Sequence, residues 1–273
     1  MAQKIQGCVA LVTGANRGLG RAYCEGLLRA GAKKIYAAAR DAAKISMNHS
    51  TLVPLRLDVT APDDIAAAVD ACADITLLVN NAGVLGNSPM LAPAAEAAAR
   101  HEMETNFFGL LYMIRGFAPV LAKNGGGTIV NVLSVASWFA SPFMATYCAS
   151  KAAAEMLTHA IRMQLRSQGT DVVGVYAGYI DTEMAAHVRH PKTSPAQVVE
   201  RSFEGVENGQ ESVFADERAV EIDARVRMGR AAFYAELQQR WVDAQARNAS
   251  LIQTMQGVPS GDPSTPTTSK RTT

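Results

Sequence analysis

The chain has 273 residues, of which 48% are hydrophobic, and it carries a formal net charge of +1. A chain of this length can bury a full core in one large domain. The near-neutral balance, with a pI near 7.7, leaves no electrostatic footprint for nucleic acid or for an anionic membrane. We therefore predict a protein that binds neither nucleic acid nor a membrane.

The cysteines and the apolar runs favour a reduced, cytoplasmic protein. The first apolar run begins at Cys8, too early for the charged start and long apolar core of a secretory signal. No apolar run approaches the ~20 residues that would cross a bilayer. Cys8, Cys24, Cys72 and Cys148 lack the spacing of metal ligands, which suits buried thiols in the cytosol. We predict no metal site.

Short aliphatic runs alternate with longer helical patterns along the chain. Strands that are apolar on both faces and separated by helices indicate a parallel sheet covered on both sides. The predicted fold is therefore α/β, a doubly wound Rossmann-type parallel sheet with helices on both faces. The predicted strands are Cys8–Val12, Lys34–Ala39, Leu52–Leu57, Ile75–Val79, Thr128–Leu133, Asp171–Tyr176 and Ser212–Ala215. The predicted helices are Arg17–Arg29, Pro62–Ala73, Ala94–Lys123, Tyr147–Gln168 and 195–208.

A glycine-rich turn, residues 14–20, joins the first strand to the first helix. Glycines at such a turn allow a pyrophosphate to approach the helix N-terminus closely. The spacing is Gly-x-x-x-Gly-x-Gly rather than the general Gly-x-Gly-x-x-Gly. A glycine turn that binds no ligand is the alternative interpretation. The predicted cofactor contacts in this turn are Gly14, Asn16, Arg17, Gly18, Leu19 and Gly20.

The residues after the second strand bear on the choice of cofactor. An acidic side chain near this strand end binds the ribose 2′-hydroxyl, whereas an arginine accepts a 2′-phosphate. Here the strand ends in alanine, Arg40 follows, and Arg17 lies in the glycine turn. Two guanidiniums favour NADP (NADPH) over NAD, although Asp41 could weaken this preference. Either arginine alone could also be an ordinary surface charge.

Two further polar motifs follow the third and fourth strands, at the edge where ligands bind in open parallel sheets. The predicted cofactor contacts there are Asp58, Val59, Asn81, Ala82 and Gly83. Asp58 could equally cap the helix that starts near Pro62. The paired asparagines at 80 and 81 would also suit a polar turn.

Tyr147 and Lys151 are four residues apart at the start of an alanine-rich helical run, so they share one helix face. An ammonium beside a phenol stabilises the phenolate and lowers the tyrosine pKa from about 10. Such a tyrosine could donate and accept protons near neutral pH, although the same spacing occurs on solvated helices. Ser134 closes the fifth strand and could be a turn serine. Asn106, amid apolar neighbours, suggests a local irregularity or a buried polar contact.

Together these motifs resemble the short-chain dehydrogenase/reductase family in its classical one-domain form, from about Cys8 to Met184. The resemblance implies that Tyr147 is the acid/base for the carbonyl oxygen. It implies that Lys151 binds the nicotinamide ribose, and that Ser134 hydrogen-bonds the substrate oxygen. Asn106 would anchor a water chain leading to Lys151. The matching segments are residues 13–20, 58–59 and 80–83, Ser134 with Tyr147 and Lys151, and residues 178–182.

The resemblance also implies that Gly178, Ile180 and Thr182 meet the nicotinamide. The chain departs from the family at Ala177, where a proline usually precedes the glycine, so this turn loses the rigidity of proline. It also lacks the usual glycine-rich closing motif. The usual tetramer is therefore not assumed, and a homo-oligomer is left open.

We predict one dinucleotide-binding and catalytic domain over residues 1–256, with a long C-terminal helix over about 216–250. Residues 257–273 are mostly Pro, Ser and Thr, which predicts a disordered tail.

The leading hypothesis is an NADP(H)-dependent carbonyl reductase or alcohol dehydrogenase for a small-molecule ketone, aldehyde or alcohol. Trp138, Phe139, Phe143 and Met144 predict an apolar wall and a hydrophobic substrate, although they could simply pack under a lid formed by residues 183–194. One alternative is a nucleotide-sensing binding or regulatory protein on the same fold. Another is an epimerase or dehydratase that uses the same tyrosine.

Overall fold

The computed structural model of the protein describes residues 4–86 and 88–255. Within these residues, seven strands form one parallel sheet in the order β3-β2-β1-β4-β5-β6-β7. The predicted α/β doubly wound fold is therefore confirmed. The strands are β1 Val9–Thr13, β2 Lys34–Ala39, β3 Leu52–Arg56, β4 Leu77–Asn80, β5 Gly127–Val132, β6 Thr170–Tyr176 and β7 Ser212–Phe214. The helices are α1 Gly18–Arg29, α2 Pro62–Ala71, α3 Ala95–Met103, α4 Leu110–Lys123, α5 Ala145–Leu165, α6 Pro195–Glu207, α7 Glu217–Met228 and α8 Arg230–Met255.

Both faces of the sheet are covered. Successive strand residues point to opposite faces, yet Ala10, Leu11 and Val12 in β1 are all fully buried. Alternate strand residues join α1 and α6 in one apolar core. On the other face, α2, α4 and α5 pack against the strands. This double covering explains why the strands are continuously apolar in sequence.

The stretch predicted as one helix over Ala94–Lys123 is divided. A π-helical segment, Glu104–Gly109, separates α3 from α4 and contains the buried Asn106. By length and composition alone, the run Ala95–Lys123 could cross a membrane, with a mean hydropathy of 1.2. However, α4 packs against α2, β4 and β5. These are the contacts of a core helix.

The predicted single helix over 216–250 is wrong, because α7 ends at Met228 and α8 begins at Arg230. Gly229 between them has extended backbone, with φ 162° and ψ 104°. Glycine in a helix interior costs about 1 kcal/mol relative to alanine, which favours a break at this residue. The same break separates two units of the chain, Met1–Gly229 and Arg230–Thr273, and the single catalytic domain over residues 1–256 stays a prediction. The predicted disordered tail, 257–273, lies outside the described residues.

The strand order positions the functional site. β1 pairs with β2 on one side and with β4 on the other. The chain direction across the sheet reverses between β1 and β4, and a crevice opens there at the carboxyl edge. The turns after β1, β4, β5 and β6 all reach this edge because the strands are parallel.

Candidate active site

A cleft of about 970 Å³ opens at the carboxyl edge of the sheet. Every predicted site residue except Asn106 lines it, so the structure brings together residues from seven separate segments of the chain. Asn106 lies behind Lys151, beside a much smaller space. The predicted residues on the wall of the cleft are Gly14, Asn16, Arg17, Gly18, Leu19, Gly20, Arg40, Asp58, Val59, Asn81, Ala82, Gly83, Ser134, Tyr147, Lys151, Gly178, Ile180 and Thr182.

The turn after β1 requires glycine. Gly14 and Gly18 have positive φ, 66° and 53°, in the left-handed region. A Cβ at Gly20 would overlap the carbonyl oxygen of Gly14 and the side chain of Asn81. The turn therefore folds closely onto the start of α1 and leaves the backbone there accessible from the cleft.

Thr13, which the sequence analysis did not single out, connects the ends of β1 and β4. Its hydroxyl accepts hydrogen bonds from the backbone N–H groups of Asn81 and Ala82, both at 3.0 Å. The amide of Asn81 in turn donates to the Thr13 carbonyl at 2.8 Å. Thr13 is only 1% exposed. Its partners lie more than sixty residues away in sequence, so no local pattern indicates this role.

The N-terminus of α1 suits a pyrophosphate. Arg17 precedes the helix and makes no side-chain capping bond. The backbone N–H groups at Gly18, Leu19 and Gly20 therefore lack an acceptor from this residue, and they carry the positive end of the helix dipole. With the glycine turn beside them, these residues fit a dinucleotide cofactor.

Cations surround the end of the cleft near β2. Arg40 lines it together with Lys44, a residue of the short 3₁₀ turn after β2 that the sequence analysis missed. The Asp41 carboxylate accepts a hydrogen bond from Ala43 N at 3.1 Å, and an oxygen lies 3.7 Å from Lys44 Nζ. Its charge is thus partly balanced within its own turn.

Arg17 lies on the wall as predicted, but its guanidinium forms an ion pair with Glu183 from the opposite side of the cleft. Both side chains are exposed. The pair links the glycine turn to the segment after β6. The ion pair with Glu183 therefore holds the Arg17 guanidinium. Arg40 and Lys44 are the cations that line the β2 end of the cleft.

Asp58 closes a tight turn rather than capping α2. Its carboxylate accepts hydrogen bonds from Thr60 N at 2.9 Å and Thr60 Oγ1 at 2.8 Å. Burial acts to raise the pKa of Asp58, but these bonds and the nearby Arg40 and Arg56 bring it below its usual value. The carboxylate therefore stays ionised beside Arg40 at neutral pH.

Ser134, Tyr147 and Lys151 converge at the opposite end of the cleft. Ser134 follows β5, and its hydroxyl lies 3.5 Å from the Ala177 carbonyl and forms a hydrogen bond with Tyr147. Lys151 donates from Nζ to the Val132 carbonyl at 3.0 Å. The same Nζ is 5.8 Å from the centroid of the Tyr147 ring. A phenol, a hydroxyl and an amine thus face one region of the cavity.

The predicted direction of the Tyr147 pKa is wrong for the protein without cofactor. Burial raises the pKa of Tyr147 above its usual range, and the hydrogen bond with Ser134 acts in the opposite direction. Burial also lowers the pKa of Lys151 to about 8. Loss of water disfavours the charged form of each group. The phenol is therefore protonated at neutral pH and can act as a proton donor.

Asn106 makes the buried polar contacts that its sequence context predicts. Its Oδ1 accepts from Val84 N at 2.9 Å, and Nδ2 donates to the Val84 carbonyl at 3.0 Å. Nδ2 also donates to Ser150 Oγ at 2.9 Å. Both amide hydrogens are thus engaged by protein groups. Any further contact, such as the implied water, would have to use the oxygen.

The substrate end of the cleft has an apolar wall on one side. Phe139, Phe143 and Met144 line the cavity, as predicted. Trp138 does not: its Nε1 donates to Glu155 at 2.8 Å, and its ring packs 4.6 Å from that of Tyr176. The cavity also carries basic residues that the sequence analysis missed, namely His187, Arg189, His190 and Arg218.

No metal site accompanies this cleft in the part of the chain that the structure describes. Within residues 4–86 and 88–255, no three His, Cys, Asp or Glu side chains are grouped so as to hold an ion.

Comparison with known proteins agrees with this geometry. The family model for short chain dehydrogenases matches residues 8–193. D-erythrulose reductase from Gallus gallus is 37% identical over 64% of this chain and 72% of its own length. A Burkholderia cenocepacia short chain dehydrogenase solved with NADP is 42% identical, with a TM-score of 0.83 over 86% of this chain and 99% of that chain. A Burkholderia phymatum structure with NAD, 24% identical, has a TM-score of 0.75 over 86% of this chain and 96% of that chain, and shows the fold alone. The chain belongs to the classical short-chain dehydrogenase/reductase family of oxidoreductases.

Proposed function

We propose that the protein is an NADP(H)-dependent carbonyl reductase or alcohol dehydrogenase. It would reduce a small-molecule ketone or aldehyde, or oxidise the matching alcohol. The observation that carries the proposal is the convergence of Ser134, Tyr147 and Lys151 beside a cleft whose other end fits a dinucleotide. The similarity to a reductase of D-erythrulose supports carbonyl chemistry.

In this proposal the nicotinamide, when bound, supplies or accepts the hydride. The half-buried Tyr147 phenol donates its proton to the carbonyl oxygen during reduction. The Ser134 hydroxyl hydrogen-bonds the same oxygen and stabilises the charge that develops on it. The Lys151 ammonium binds the cofactor ribose and stabilises the phenolate that remains. In the oxidation direction, the same tyrosine accepts the proton of the alcohol.

The choice of NADP over NAD rests on the charges at the β2 end. Arg40 and Lys44 present cations to the cavity, and Asp41 is engaged by Ala43 and Lys44. A 2′-phosphate would therefore meet positive charge. The similar structure from Burkholderia cenocepacia was solved with NADP, which supports this choice.

The wall formed by Phe139, Phe143 and Met144 supports a substrate with a hydrophobic body. We also propose that the enzyme acts in the cytoplasm. Its cysteines are free and buried, as is usual for a protein of a reducing compartment.

The test is NADPH oxidation across a panel of ketones and aldehydes by the wild type and Tyr147→Phe. We expect the substitution to lower kcat by at least about 100-fold, the scale of general-acid catalysis, while NADPH binding persists. Tyr112→Phe, which removes a hydroxyl from α4 away from the cleft, is the matched control and should keep full activity. Undiminished turnover by Tyr147→Phe would overturn the mechanism. Substrate conversion without net cofactor turnover would instead favour an epimerase or dehydratase.

A further inference from the structure

Arg218 reaches the substrate end of the cleft from a helix outside the predicted site. It lies in the first turn of α7 and lines the cavity. Its stem packs against Gly178 so closely that a Cβ there would lie 2.5 Å from Arg218 Cδ. The guanidinium carbon lies 5.0 Å from the centroid of the Tyr179 ring, which also stacks on His190. The aromatic ring and the glycine together direct this cation into the cavity.

Asp216 holds Arg218 in this position. The Asp216 side chain is 1% exposed. One carboxylate oxygen accepts from Ala219 N at 2.7 Å and caps α7, while the other accepts from Gly178 N at 2.8 Å. The start of α7 is thereby joined to the turn after β6. The carbonyl of Ala177 in that turn lies 3.5 Å from Ser134 Oγ, so Arg218 is held near the end of the cleft where Ser134 lies.

The position of Arg218 is not explained by the stability of α7. A cation in the first turn of a helix is disfavoured by the helix dipole. The adjacent Glu217 pairs with Arg201, at 2.5 Å. Among the described residues, no ion pair includes Arg218. The carboxylates on the cavity wall have other positions or partners. Asp41 lies near Lys44, Asp58 accepts a hydrogen bond from Thr60, and Glu183 pairs with Arg17. Glu104 lies in the π-helical segment.

We propose that Arg218 determines substrate choice by binding a carboxylate on the carbonyl substrate. The substrate class would be an oxo acid, or the matching hydroxy acid, whose apolar body lies against Phe139, Phe143 and Met144. A guanidinium binds a carboxylate through paired, charge-assisted hydrogen bonds. Arg189, which lines the same cavity, adds attraction for an anion. The inference rests on the proposed carbonyl chemistry and narrows it.

The first test compares turnover of charged and neutral substrates of one shape, para-acetylbenzoate and para-acetylbenzamide, with NADPH. In the wild type we expect kcat/KM for the acid to exceed that for the amide by about 10- to 100-fold, the effect of a charged hydrogen bond. Arg218→Met should bring this ratio close to one, and Arg218→Lys should retain part of it. Arg227→Met changes an exposed arginine on the same helix and should retain the wild-type ratio.

The second test needs no turnover, so it separates this proposal from the proposed function. The fluorescence of NADPH bound to the enzyme is titrated with benzoate and with benzamide. We expect the wild type to bind benzoate more tightly, and Arg218→Met to lose that preference. The methionine of Arg218→Met keeps an unbranched side chain against Gly178. If the Arg218→Met protein does not fold, Arg218→Gln serves as a second neutral variant. Equal binding of both probes by the wild type, or a preference that survives in a neutral variant, would overturn the role of Arg218.

Discussion

Asn106 donates from Nδ2 to Ser150 Oγ across 2.9 Å, and this bond joins the π-helical segment to α5. Ser150 Oγ in turn donates to the Tyr147 carbonyl at 2.8 Å. Ser150 directly precedes Lys151, so the bond lies between the two catalytic candidates on α5. π-helical turns within α-helices are frequent at functional sites. Here the segment places a buried amide directly behind Tyr147 and Lys151.

Asn106→Ala should lower the free energy of unfolding by about 2–4 kcal/mol, because it leaves the backbone N–H and carbonyl of Val84 without their side-chain partner and removes one of the hydrogen bonds of Ser150. Urea unfolding measures this loss. Asn124→Ala is the matched control, since the Asn124 side chain also donates to two carbonyls but lies far from the cleft and is exposed. It should cost about 1 kcal/mol and leave activity intact. An Asn106→Ala variant as stable as the wild type would contradict this account.

NADPH affinity should fall as pH rises through about 8, the pKa to which burial lowers Lys151. Bound ribose hydroxyls would accept from the ammonium, so binding favours the protonated lysine and takes up a proton above this pH. Fluorescence titration between about pH 6.5 and 9.5 measures the slope. Lys151→Met should remove this pH dependence, whereas Lys123→Met, an exposed change at the end of α4, should retain it. Identical profiles for the wild type and Lys151→Met would exclude this role.

The lowered pKa of Lys151 also affects the stability of the protein when no cofactor is bound. Between about pH 8 and the ordinary value of 10.5, the unfolded chain binds a proton that the folded Lys151 does not. The Lys151 contribution to the free energy of unfolding therefore rises with pH across this window. Lys151→Met should lack this rise in urea unfolding.

Gly20→Ala should weaken NADPH binding and lower the free energy of unfolding by about 1–3 kcal/mol, the usual cost of overpacking. The added Cβ would overlap the Gly14 carbonyl oxygen and displace the turn that fits the pyrophosphate. Gly229→Ala is the control, because nothing lies within 4 Å of the added carbon. Calorimetric titration with NADPH and urea unfolding measure the two effects. Full affinity in Gly20→Ala would show that the turn does not hold the cofactor.

Arg40→Ala should weaken NADPH binding by about 10- to 100-fold, the scale of a charge-assisted hydrogen bond. NADH binding should change by less than about threefold, because NADH lacks the 2′-phosphate and an exposed charge contributes little. Arg17→Ala should have a smaller effect, because Arg17 is paired with Glu183. Arg56→Ala, an exposed arginine that pairs with Asp64, is the control for loss of charge. A wild type that prefers NADH would contradict the assignment.

Much of the fold follows from local pattern. The predicted run Lys34–Ala39 coincides with a strand and the predicted run Asp171–Tyr176 lies within one, because strands buried on both faces must be continuously apolar. Motif spacing along the chain also selected residues that the structure assembles on one cleft, since parallel strands bring their carboxyl ends to one edge. The apolar residues of α7 and α8 have helical spacing on both sides of Gly229, so the sequence predicts one helix where the structure has two.

The amino-acid sequence by itself determined the class of fold and the family, and it selected many of the residues that line the dinucleotide cleft. These depend on periodicity and on short motifs, which are properties of neighbouring residues. Only the tertiary structure decided the protonation of Tyr147, the pairing of Arg17 with Glu183, and the entry of Arg218 into the cavity. Each depends on burial or on a partner distant in sequence. At Tyr147 the loss of water outweighed the hydrogen bond with Ser134, and no spacing rule along the chain measures how much water a side chain loses.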